Sequence, residues 1–292
     1  MQWMYMDYGA QSELATLRVV MVHKPGEELL KVSATDPWKW LFDAKPDIQR
    51  AQEEHERMVM ILREEGVQVV DVGKTTMPNQ YFTRDVGFVT KRGAVIGNFR
   101  HEIRRGEELV ALRKLRALGV PILLKIKGEA FLEGGDVLFL KEDEILVGIG
   151  ERTNEEGVRL MMKTLTREGL IKQVRCVPLK GEAFHLDMAL NIASHELIAL
   201  YPEVLPQSLI NHLISMDYNV IEVPYEDFKS LALNWLVVRP GKLIFVDGYR
   251  FNRWTRKVLE REGMDVIGLE VEELMKGRGG PRCMTLPILR RN

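Results

Sequence analysis

Apolar residues along the chain follow one pattern that repeats, a helix followed by a strand. Residues 47–67, DIQRAQEEHERMVMILREEGV, place Met58, Ile61 and Leu62 at helical spacing and reach Gly66, which predicts an amphipathic helix with a glycine stop. The segment VQVVDV that follows predicts a strand. The same pattern recurs in EELVALRKLRALGVPILL, GVRLMMKTLTREGLIKQVRCVPL, PQSLINHLISMDYNVIEVP and NRWTRKVLEREGMDVIGLE. Five copies of one unit predict an α/β repeat fold.

Polar motifs keep the same period. TRD ends at Asp85, EGGD at Asp136 and HLD at Asp187, LNW contains Asn234, and RGGPRC ends at Cys283. Successive members of this series are 51, 51, 47 and 49 residues apart. A fixed period of about 50 residues is typical of a repeated supersecondary unit such as a propeller blade. Since equivalent positions of a closed ring converge, the residues expected to meet at one end of a central channel are Asp85, Glu133, Asp136, His185, Asp187 and Cys283.

Composition and charge narrow the class of protein. The chain has 292 residues, 46% of them hydrophobic, which is enough for a sizeable core. Its 41 Lys and Arg balance 42 Asp and Glu, so net charge indicates neither a nucleic-acid nor a membrane-surface partner. Two cysteines give no disulfide framework, and the sequence contains neither a signal-peptide pattern nor a transmembrane run. We expect a cytoplasmic globular protein.

The converging residue types indicate a site for a cation beside a thiol. A cysteine and a histidine brought together form a thiolate nucleophile with a general acid/base partner. Neighbouring carboxylates repel one another unless a positive group lies among them, and a guanidinium is planar, permanently charged and suited to bidentate binding. A metal ion would also meet that need, but the sequence has no HExxH, CxxC or EF-hand spacing.

Two features are expected to lie apart from this chemistry. Cys176 belongs to the apolar segment VRCVPL, which predicts a small buried residue in a strand. The arginines of the terminal LRRN are expected to be solvated.

Motifs along most of the chain resemble those of one enzyme superfamily. VVMVHKPG, MPNQYFTRD, FLEGGDVL, VGIGERT, FHLD and RGGPRCMTLP follow one another in the family's order. The chain resembles the guanidine-modifying enzymes of the pentein fold, and among them most closely arginine deiminase. The resemblance implies a five-bladed α/β propeller formed by a single catalytic domain over residues 1–292.

The resemblance also implies a mechanism. Cys283 would be the nucleophile and His185 the general acid/base, while Asp85 and Asp187 clamp the guanidinium nitrogens and Glu133 orients the same group. L-arginine would be hydrolysed to citrulline and ammonia through a covalent thiouronium intermediate. No metal and no cofactor would be needed, and the partner would be this small molecule, with a homo-oligomer possible.

Further substrate contacts are implied residue by residue. The expected set is Phe82 beside the guanidinium, Asn79 on the substrate, Arg152 and Arg278 on its carboxylate, and either Arg104 or Arg105 as a third carboxylate ligand. The glycines of RGGPRC would let the backbone approach closely and turn, and Pro281 would limit its freedom.

The pattern departs from typical bacterial arginine deiminases, which are larger and carry an inserted helical bundle. The compact size resembles dimethylarginine dimethylaminohydrolase, a family that usually lacks an arginine in the position of Arg278. Three other outcomes stay open: an ornithine-forming arginine dihydrolase, an amidinotransferase, and a non-catalytic ribosome-binding module of the same fold. EGGD speaks against the transferase, which usually carries aspartate at the Glu133 position. The matched thiol, imidazole and carboxylates speak against the binding module.

Overall fold

Within residues 6–248 and 251–291, the part of the chain that this computed structural model describes, the strands form five three-stranded sheets. In each sheet the first strand is antiparallel to the second, and the second is parallel to the third. A helix connects the second strand to the third in every sheet, because parallel neighbours need a crossover connection. This unit contains the predicted helix-then-strand pattern, so the α/β class is confirmed.

The strands are β1 Leu17–Val22, β2 Gln68–Asp71, β3 Gly87–Thr90, β4 Gly93–Ile96, β5 Ile122–Lys125, β6 Val137–Lys141, β7 Glu144–Ile149, β8 Gln173–Pro178, β9 Leu190–Ile192, β10 Leu197–Leu200, β11 Asn219–Glu222, β12 Leu236–Arg239, β13 Lys242–Asp247, β14 Asp265–Glu270 and β15 Leu286–Arg290. The helices are α1 Ile48–Glu64, α2 Glu107–Ala117, α3 Glu155–Arg167, α4 Leu186–Ala189, α5 Gln207–Ser215, α6 Tyr225–Lys229 and α7 Arg253–Arg261. The sheets have the strand orders β15-β1-β2, β3-β4-β5, β6-β7-β8, β9-β10-β11 and β12-β13-β14. Over the described ranges, none of the helices combines the length and the apolar character that crossing a membrane requires.

Local sequence explains where the connecting helices begin and end. The Asp47 side chain caps α1 by accepting a hydrogen bond from the backbone N–H of Arg50 (2.9 Å), which satisfies one free donor of the first turn. Met58 and Leu62 are fully buried on the inner face of α1. Burying each such side chain contributes about 1.5–3 kcal/mol. Gly66 follows the helix at φ 77°, a left-handed conformation that glycine adopts without a Cβ clash, so the predicted stop is confirmed.

One sheet joins the two ends of the chain. In it β15 pairs antiparallel with β1, with Met21 opposite Leu286. Arg290 is buried in this sheet and donates from Nη1 to the carbonyl oxygen of Ala15 (2.8 Å), so the expectation that it is solvated is wrong. Arg291, by contrast, is exposed.

Cys176 lies in β8 as predicted, but it is exposed rather than buried. β8 is the outer strand of the sheet β6-β7-β8, with a strand neighbour on one side only. Most of its residues are consequently open to solvent despite their apolar sequence. Edge position, which a local pattern does not encode, overrides the hydrophobic signal here.

The periodic polar residues occupy equivalent places, each shortly before the first strand of a sheet. Asp85 lies in the 3-10 turn Thr83–Val86 before β3, Asp136 ends the turn Gly134–Asp136 before β6, Asp187 lies in α4 before β9, Asn234 precedes β12, and Cys283 precedes β15. Hydrogen bonds tie neighbouring units together at this level, for example from the N–H of Leu186 to Asp136 Oδ1 (3.0 Å). The repeat thus brings side chains that are distant in sequence to one end of the sheets.

Candidate active site

Cys283 lies in the loop between the 3-10 turn Leu274–Gly277 and β15, and its side chain is buried. Its Sγ lies 3.6 Å from Asp187 Oδ2 and 3.1 Å from Asn234 Nδ2. The loop can approach this closely because position 280 is glycine: a Cβ atom there would lie 2.7 Å from Val246 Cγ2. Gly280 of the motif RGGPRC therefore allows the close packing of the loop that carries the thiol.

His185 faces two carboxylates. Its Nε2 is 2.9 Å from Glu133 Oε2, within hydrogen-bond distance, and its Nδ1 is 3.7 Å from Asp85 Oδ1. Gly135 of EGGD makes room for the ring, because a Cβ atom at that position would lie 2.7 Å from His185 Nδ1 and 3.1 Å from Asp85 Oδ1. The imidazole is thus oriented by a carboxylate and confined by a glycine.

Each of the three carboxylates at the centre also has a buried arginine partner. The pairs are Arg104–Asp85 (2.8 Å), Arg152–Glu133 (3.4 Å) and Arg282–Asp187 (2.7 Å). Every side chain in these pairs is at most 6% exposed, so neither charge of a pair is compensated by solvent. The arginines offset the repulsion that clustered carboxylates would otherwise suffer.

Each carboxylate nevertheless keeps one oxygen free. Among the described residues, Asp85 Oδ1, Glu133 Oε1 and Asp187 Oδ1 are buried without a hydrogen-bond partner, and so is Nδ1 of His185. A buried polar atom left unpaired costs about 1–3 kcal/mol. A guanidinium, with five N–H donors in one plane, is a ligand that can satisfy several such acceptors at once.

A small inner cavity of about 60 Å³ lies beside these groups, and its walls include Asn79, Phe82, Asp85, Arg152, His185 and Cys283. A wider vestibule of about 540 Å³ adjoins it. Glu151, Phe184 and Arg278 line both spaces. The arrangement suits a ligand with a narrow cationic end inside and a larger polar end in the vestibule.

The charges of His185 and Glu133 are strongly coupled. Burial lowers the pKa of His185, but the carboxylates of Asp85, Asp136 and Glu133 outweigh burial and raise it to about 9. Burial likewise raises the pKa of Glu133, but Arg152, His185 and Arg104 outweigh that effect and lower it to about 2. At neutral pH the site therefore holds an imidazolium against a carboxylate.

The Cys283 thiol, unlike His185 and Glu133, is held in its neutral form. Burial, followed by the charges of Asp187 and Asp85, raises the pKa of Cys283 well above its ordinary value, while Asn234 and Arg282 lower it. Burial also raises the pKa of Asp85. Without a ligand, Cys283 is a neutral thiol, and a cation placed between Asp85 and Asp187 would favour its ionisation.

Comparison with known proteins identifies the family. The family model described as N,N dimethylarginine dimethylhydrolase, eukaryotic, matches residues 39–290. The chain belongs to this family.

Relatives of this dimethylarginine dimethylhydrolase family member include arginine deiminases. Arginine deiminase of Rhodococcus erythropolis is 25% identical over 398 aligned residues that cover 97% of each chain, and the uncharacterized protein YkgA of Bacillus subtilis is 28% identical over 281 residues that cover 96% of this chain and 94% of YkgA. A citrulline complex of a cysteine-to-serine mutant of DDAH from Pseudomonas aeruginosa has a TM-score of 0.77 and 26% identity, covering 93% of this chain and 99% of that chain.

The comparisons confirm the resemblance to the arginine deiminase-like pentein superfamily. The chain is a hydrolase that acts on guanidino C–N bonds of arginine-like substrates, which sets aside the non-catalytic ribosome-binding alternative. The alignment with the Rhodococcus deiminase spans 398 positions, more than the 292 residues of this chain, so that deiminase contains segments absent here.

In this family member, the two arginines predicted to bind the substrate carboxylate both line the inner cavity, but one is buried and the other is exposed. Arg152 is buried, and its guanidinium lies over the Phe184 ring, 4.9 Å from the centroid. Arg278 is 52% exposed in its side chain and donates from Nε to Asp43 Oδ1 (2.7 Å) at the edge of the vestibule. Arg278 can therefore exchange partners more easily than Arg152.

The structure distinguishes Arg104 from Arg105. Arg104 lines the inner cavity and points towards the carboxylates, with contacts to Asp85 (2.8 Å) and to Glu107 (2.7 Å). Arg105 lines neither space; its side chain is partly exposed and donates to the carbonyl oxygen of Phe99 (3.2 Å). In this conformation Arg104 is a counter-charge for Asp85 and offers no free guanidinium edge to the vestibule.

Asn79 and Phe82 both line the inner cavity, as the prediction requires. Asn79 donates from Nδ2 to the carbonyl oxygen of Trp40 (2.9 Å). Phe82 packs on Tyr81, with 4.1 Å between ring centroids. Both residues are held by contacts within the protein, so they form a fixed wall of the cavity.

One group of described residues has the spacing of a metal site: ligand atoms of Asp85, Glu133 and His185 lie within 4.8 Å of one another. The same group is already contacted by Arg104 and Arg152, whose positive charges would repel a divalent cation. The donor set fits an organic cation with N–H groups better than a metal.

Sequence reasoning missed Arg282. This side chain is 1% exposed and bridges Asp187 Oδ2 (2.7 Å) and Glu13 Oε1 (3.1 Å), and it also donates to the carbonyl oxygen of Val137 (3.0 Å). A signal is present in the sequence, because Arg282 directly precedes Cys283. The basic composition of the motif hides this signal, since charge alone does not distinguish a buried arginine from a solvated one.

Proposed function

We propose that this protein hydrolyses L-arginine to citrulline and ammonia through a covalent intermediate on Cys283. The observation that carries the proposal is the set of three buried carboxylates, each with one unpaired oxygen, around a buried thiol and imidazole. Asp85 and Asp187 bind the guanidinium nitrogens from two sides, and Glu133 holds both His185 and the same guanidinium.

Binding of the guanidinium prepares the nucleophile. Burial, together with the charges of Asp187 and Asp85, raises the pKa of Cys283 and keeps the thiol protonated in the free enzyme, and the substrate's positive charge offsets the two carboxylates. The Sγ proton passes to solvent, because His185 is already protonated, and the thiolate Sγ forms a bond to the guanidinium carbon. We place this planar group in the inner cavity, which Cys283 lines, because a nucleophilic attack needs the guanidinium carbon near Sγ.

His185 then moves the protons. With a pKa of about 9, His185 is protonated at neutral pH and gives a proton to the leaving nitrogen. The C–N bond then breaks, ammonia departs, and a thiouronium remains bound to Cys283. The neutral imidazole next takes a proton from water. The resulting hydroxide forms the new C–O bond; the C–S bond then breaks, the proton of the added hydroxyl returns to the Cys283 sulfur, and neutral citrulline departs.

We assign the amino-acid end of the substrate to the vestibule. Arg278 and Arg152 line the inner cavity on this side, and their charges suit a carboxylate. Asn79 and Phe82 form the wall beside the substrate. We assign Arg104 the role of holding Asp85, and we assign Arg105 no substrate contact because it lines neither space.

A second candidate substrate is dimethylarginine, favoured by the family model that matches residues 39–290. Unmethylated arginine is the better fit to the unpaired oxygens, because dimethylation of one nitrogen removes two N–H donors and leaves buried acceptors unsatisfied. The inner cavity of about 60 Å³ also leaves little room for two methyl groups.

We also propose that the five sheets form a five-bladed propeller in one catalytic domain. Two observations support this arrangement: the five sheets share one strand plan, and β15 and β1 join the ends of the chain in one sheet. The site would then lie at the convergence of the units that supply Asp85, Glu133, His185 and Cys283.

Product analysis tests the proposal. The purified protein is incubated with L-arginine or with asymmetric dimethylarginine, and citrulline, ornithine, ammonia and dimethylamine are resolved by mass spectrometry, with Cys283→Ser as the control. Citrulline with one equivalent of ammonia supports a deiminase. If only the methylated substrate is turned over, with release of dimethylamine, the substrate is dimethylarginine and not arginine. If ornithine forms with two equivalents of ammonia, the product is ornithine and not citrulline.

A further inference from the structure

Asn234 belongs to the periodic polar series, and the proposed mechanism assigns it no role. It precedes β12 and is fully buried. Its Nδ2 is 3.1 Å from Cys283 Sγ and 3.3 Å from the carbonyl oxygen of Asp187. Its Oδ1 accepts from the backbone N–H groups of Gly280 (3.0 Å) and Cys283 (3.1 Å). One side chain thus contacts both the sulfur and the loop that carries it.

The orientation of this amide is fixed by its partners. Two backbone N–H groups point at one atom of the amide, and only the oxygen can accept from both. The NH₂ group must therefore face the carbonyl oxygen of Asp187 and the sulfur. Exchanging the two ends would set donors against donors at Gly280 and Cys283 and leave Sγ without a donor.

No other hydrogen bond among the described residues brings a donor to Sγ. Arg282 is adjacent in the chain, but its guanidinium donates to Asp187, Glu13 and the carbonyl oxygen of Val137. The other close polar contact of the sulfur is Asp187 Oδ2 at 3.6 Å, an acceptor that opposes a thiolate. Asn234 therefore supplies the local stabilisation that the sulfur anion needs.

We propose that Asn234 is a catalytic residue whose Nδ2–H donates to the Cys283 sulfur and stabilises the thiolate, while its Oδ1 holds the loop of residues 280–283. The catalytic part of this inference rests on the proposed function, in which that sulfur attacks the guanidinium carbon. Ionisation releases the Sγ proton to solvent, and the amide keeps its own hydrogens throughout. Hydrogen bonds to charged groups are stronger than neutral ones, so the contact favours the anion over the thiol.

Two substitutions separate the two ends of the amide. Asn234→Asp keeps an oxygen for the N–H groups of Gly280 and Cys283 but turns an acceptor towards the sulfur. Asn234→Ala removes donor and acceptor without adding charge. The matched control is Asn191→Ala: Asn191 is a buried asparagine that donates to the carbonyl oxygens of Leu233 (2.7 Å) and Trp235 (2.9 Å), on either side of Asn234, without touching the sulfur.

The experiment measures the Cys283 thiol in the substrate-free full-length protein. Ultraviolet thiolate absorbance and the rate of alkylation by iodoacetamide are followed against pH, and Cys283→Ser supplies the baseline that contains Cys176 alone. At a fixed pH below the midpoint, alkylation in Asn234→Ala and Asn234→Asp is expected to be ~10- to 100-fold slower than in the wild type. Asn191→Ala is expected to lower the unfolding temperature and leave the thiol profile unchanged.

The outcomes distinguish this inference from the proposed function, because the thiol profile needs no turnover. A folded Asn234→Ala protein with the wild-type profile overturns the donor role and leaves Asn234 as a loop holder. If the alanine variant does not fold, a wild-type profile in Asn234→Asp overturns the role in the same way. A shifted profile supports the sulfur contact even where arginine is not hydrolysed, and an unchanged profile refutes it even where arginine is hydrolysed.

Discussion

Arg278 is expected to decide between substrates that differ only in a carboxylate. In the free protein its guanidinium pairs with Asp43, and the two side chains are 52% and 56% exposed. A substrate carboxylate in the vestibule must compete with Asp43 for this cation. Removing either residue should therefore change binding of arginine in opposite directions, while agmatine, which lacks the carboxylate, should be affected little.

The magnitudes follow from exposure. A charge-assisted contact between Arg278 and the substrate carboxylate contributes about 1.5–3 kcal/mol, and the exposed pair with Asp43 that it replaces is worth about 0–1 kcal/mol because solvent screens it. The net contribution is then about 0.5–3 kcal/mol. Arg278→Ala should raise KM for arginine by ~2- to 150-fold, whereas Asp43→Asn should lower it by up to ~5-fold.

Steady-state kinetics with arginine and agmatine, for the wild type, Arg278→Ala and Asp43→Asn, measures these ratios. Raising the salt concentration should reduce the benefit of Asp43→Asn, since an exposed pair weakens in salt. Equal losses for both substrates in Arg278→Ala would refute the reasoning, because the effect would then have nothing to do with the carboxylate. A rise in KM for arginine in Asp43→Asn would refute the competition.

Three further predictions concern the inner cavity. Cys283→Ser should abolish turnover and leave thermal unfolding close to that of the wild type, because a serine hydroxyl does not ionise here; turnover at the wild-type rate would exclude the covalent path. At saturating arginine, where the bound cation has already ionised the Cys283 thiol, kcat should fall at alkaline pH as His185, whose pKa is raised to about 9 in the free protein, loses the proton that it gives to the leaving nitrogen. In Glu133→Gln this limb should move to lower pH, since a carboxylate that raises the His185 pKa is gone; a limb that moves to higher pH would contradict the assignment. Gly135→Ala should destabilise the fold by about 1–3 kcal/mol and reduce kcat/KM, because the new Cβ would lie 2.7 Å from His185 Nδ1; wild-type unfolding and kinetics would contradict the steric argument.

Periodicity was the part of the sequence that predicted the fold best. The predicted helix at residues 47–67 corresponds to α1 Ile48–Glu64, and Gly66 follows it at φ 77°. These features depend on neighbours within a few residues, so a local pattern contains them. Burial of Arg290 and exposure of Cys176 depend instead on which strand pairs with β15 and which strand lies at a sheet edge. Such pairings join segments far apart in sequence, and no local pattern encodes them.

For the candidate site, too, the sequence predicted some features and not others. Equal spacing was enough to bring Asp85, Asp187 and Cys283 together, since equivalent positions of a repeat occupy equivalent places. Spacing could not tell which of Arg104 and Arg105 turns inward, because the two are adjacent in one loop.

Electrostatics decides between those two arginines. A buried guanidinium is tolerated only where carboxylates compensate the loss of water, and Arg104 meets Asp85, Glu133 and Glu107 at 2.8, 3.5 and 2.7 Å. Arg105 has Glu102, which is 85% exposed and can be compensated by solvent instead. The converse gives a rule that a sequence can supply: several carboxylates predicted to converge in a dry site require buried cations close by. For Asp187 that requirement singles out Arg282, because the residue next to the nucleophile is brought to the same place by the chain itself.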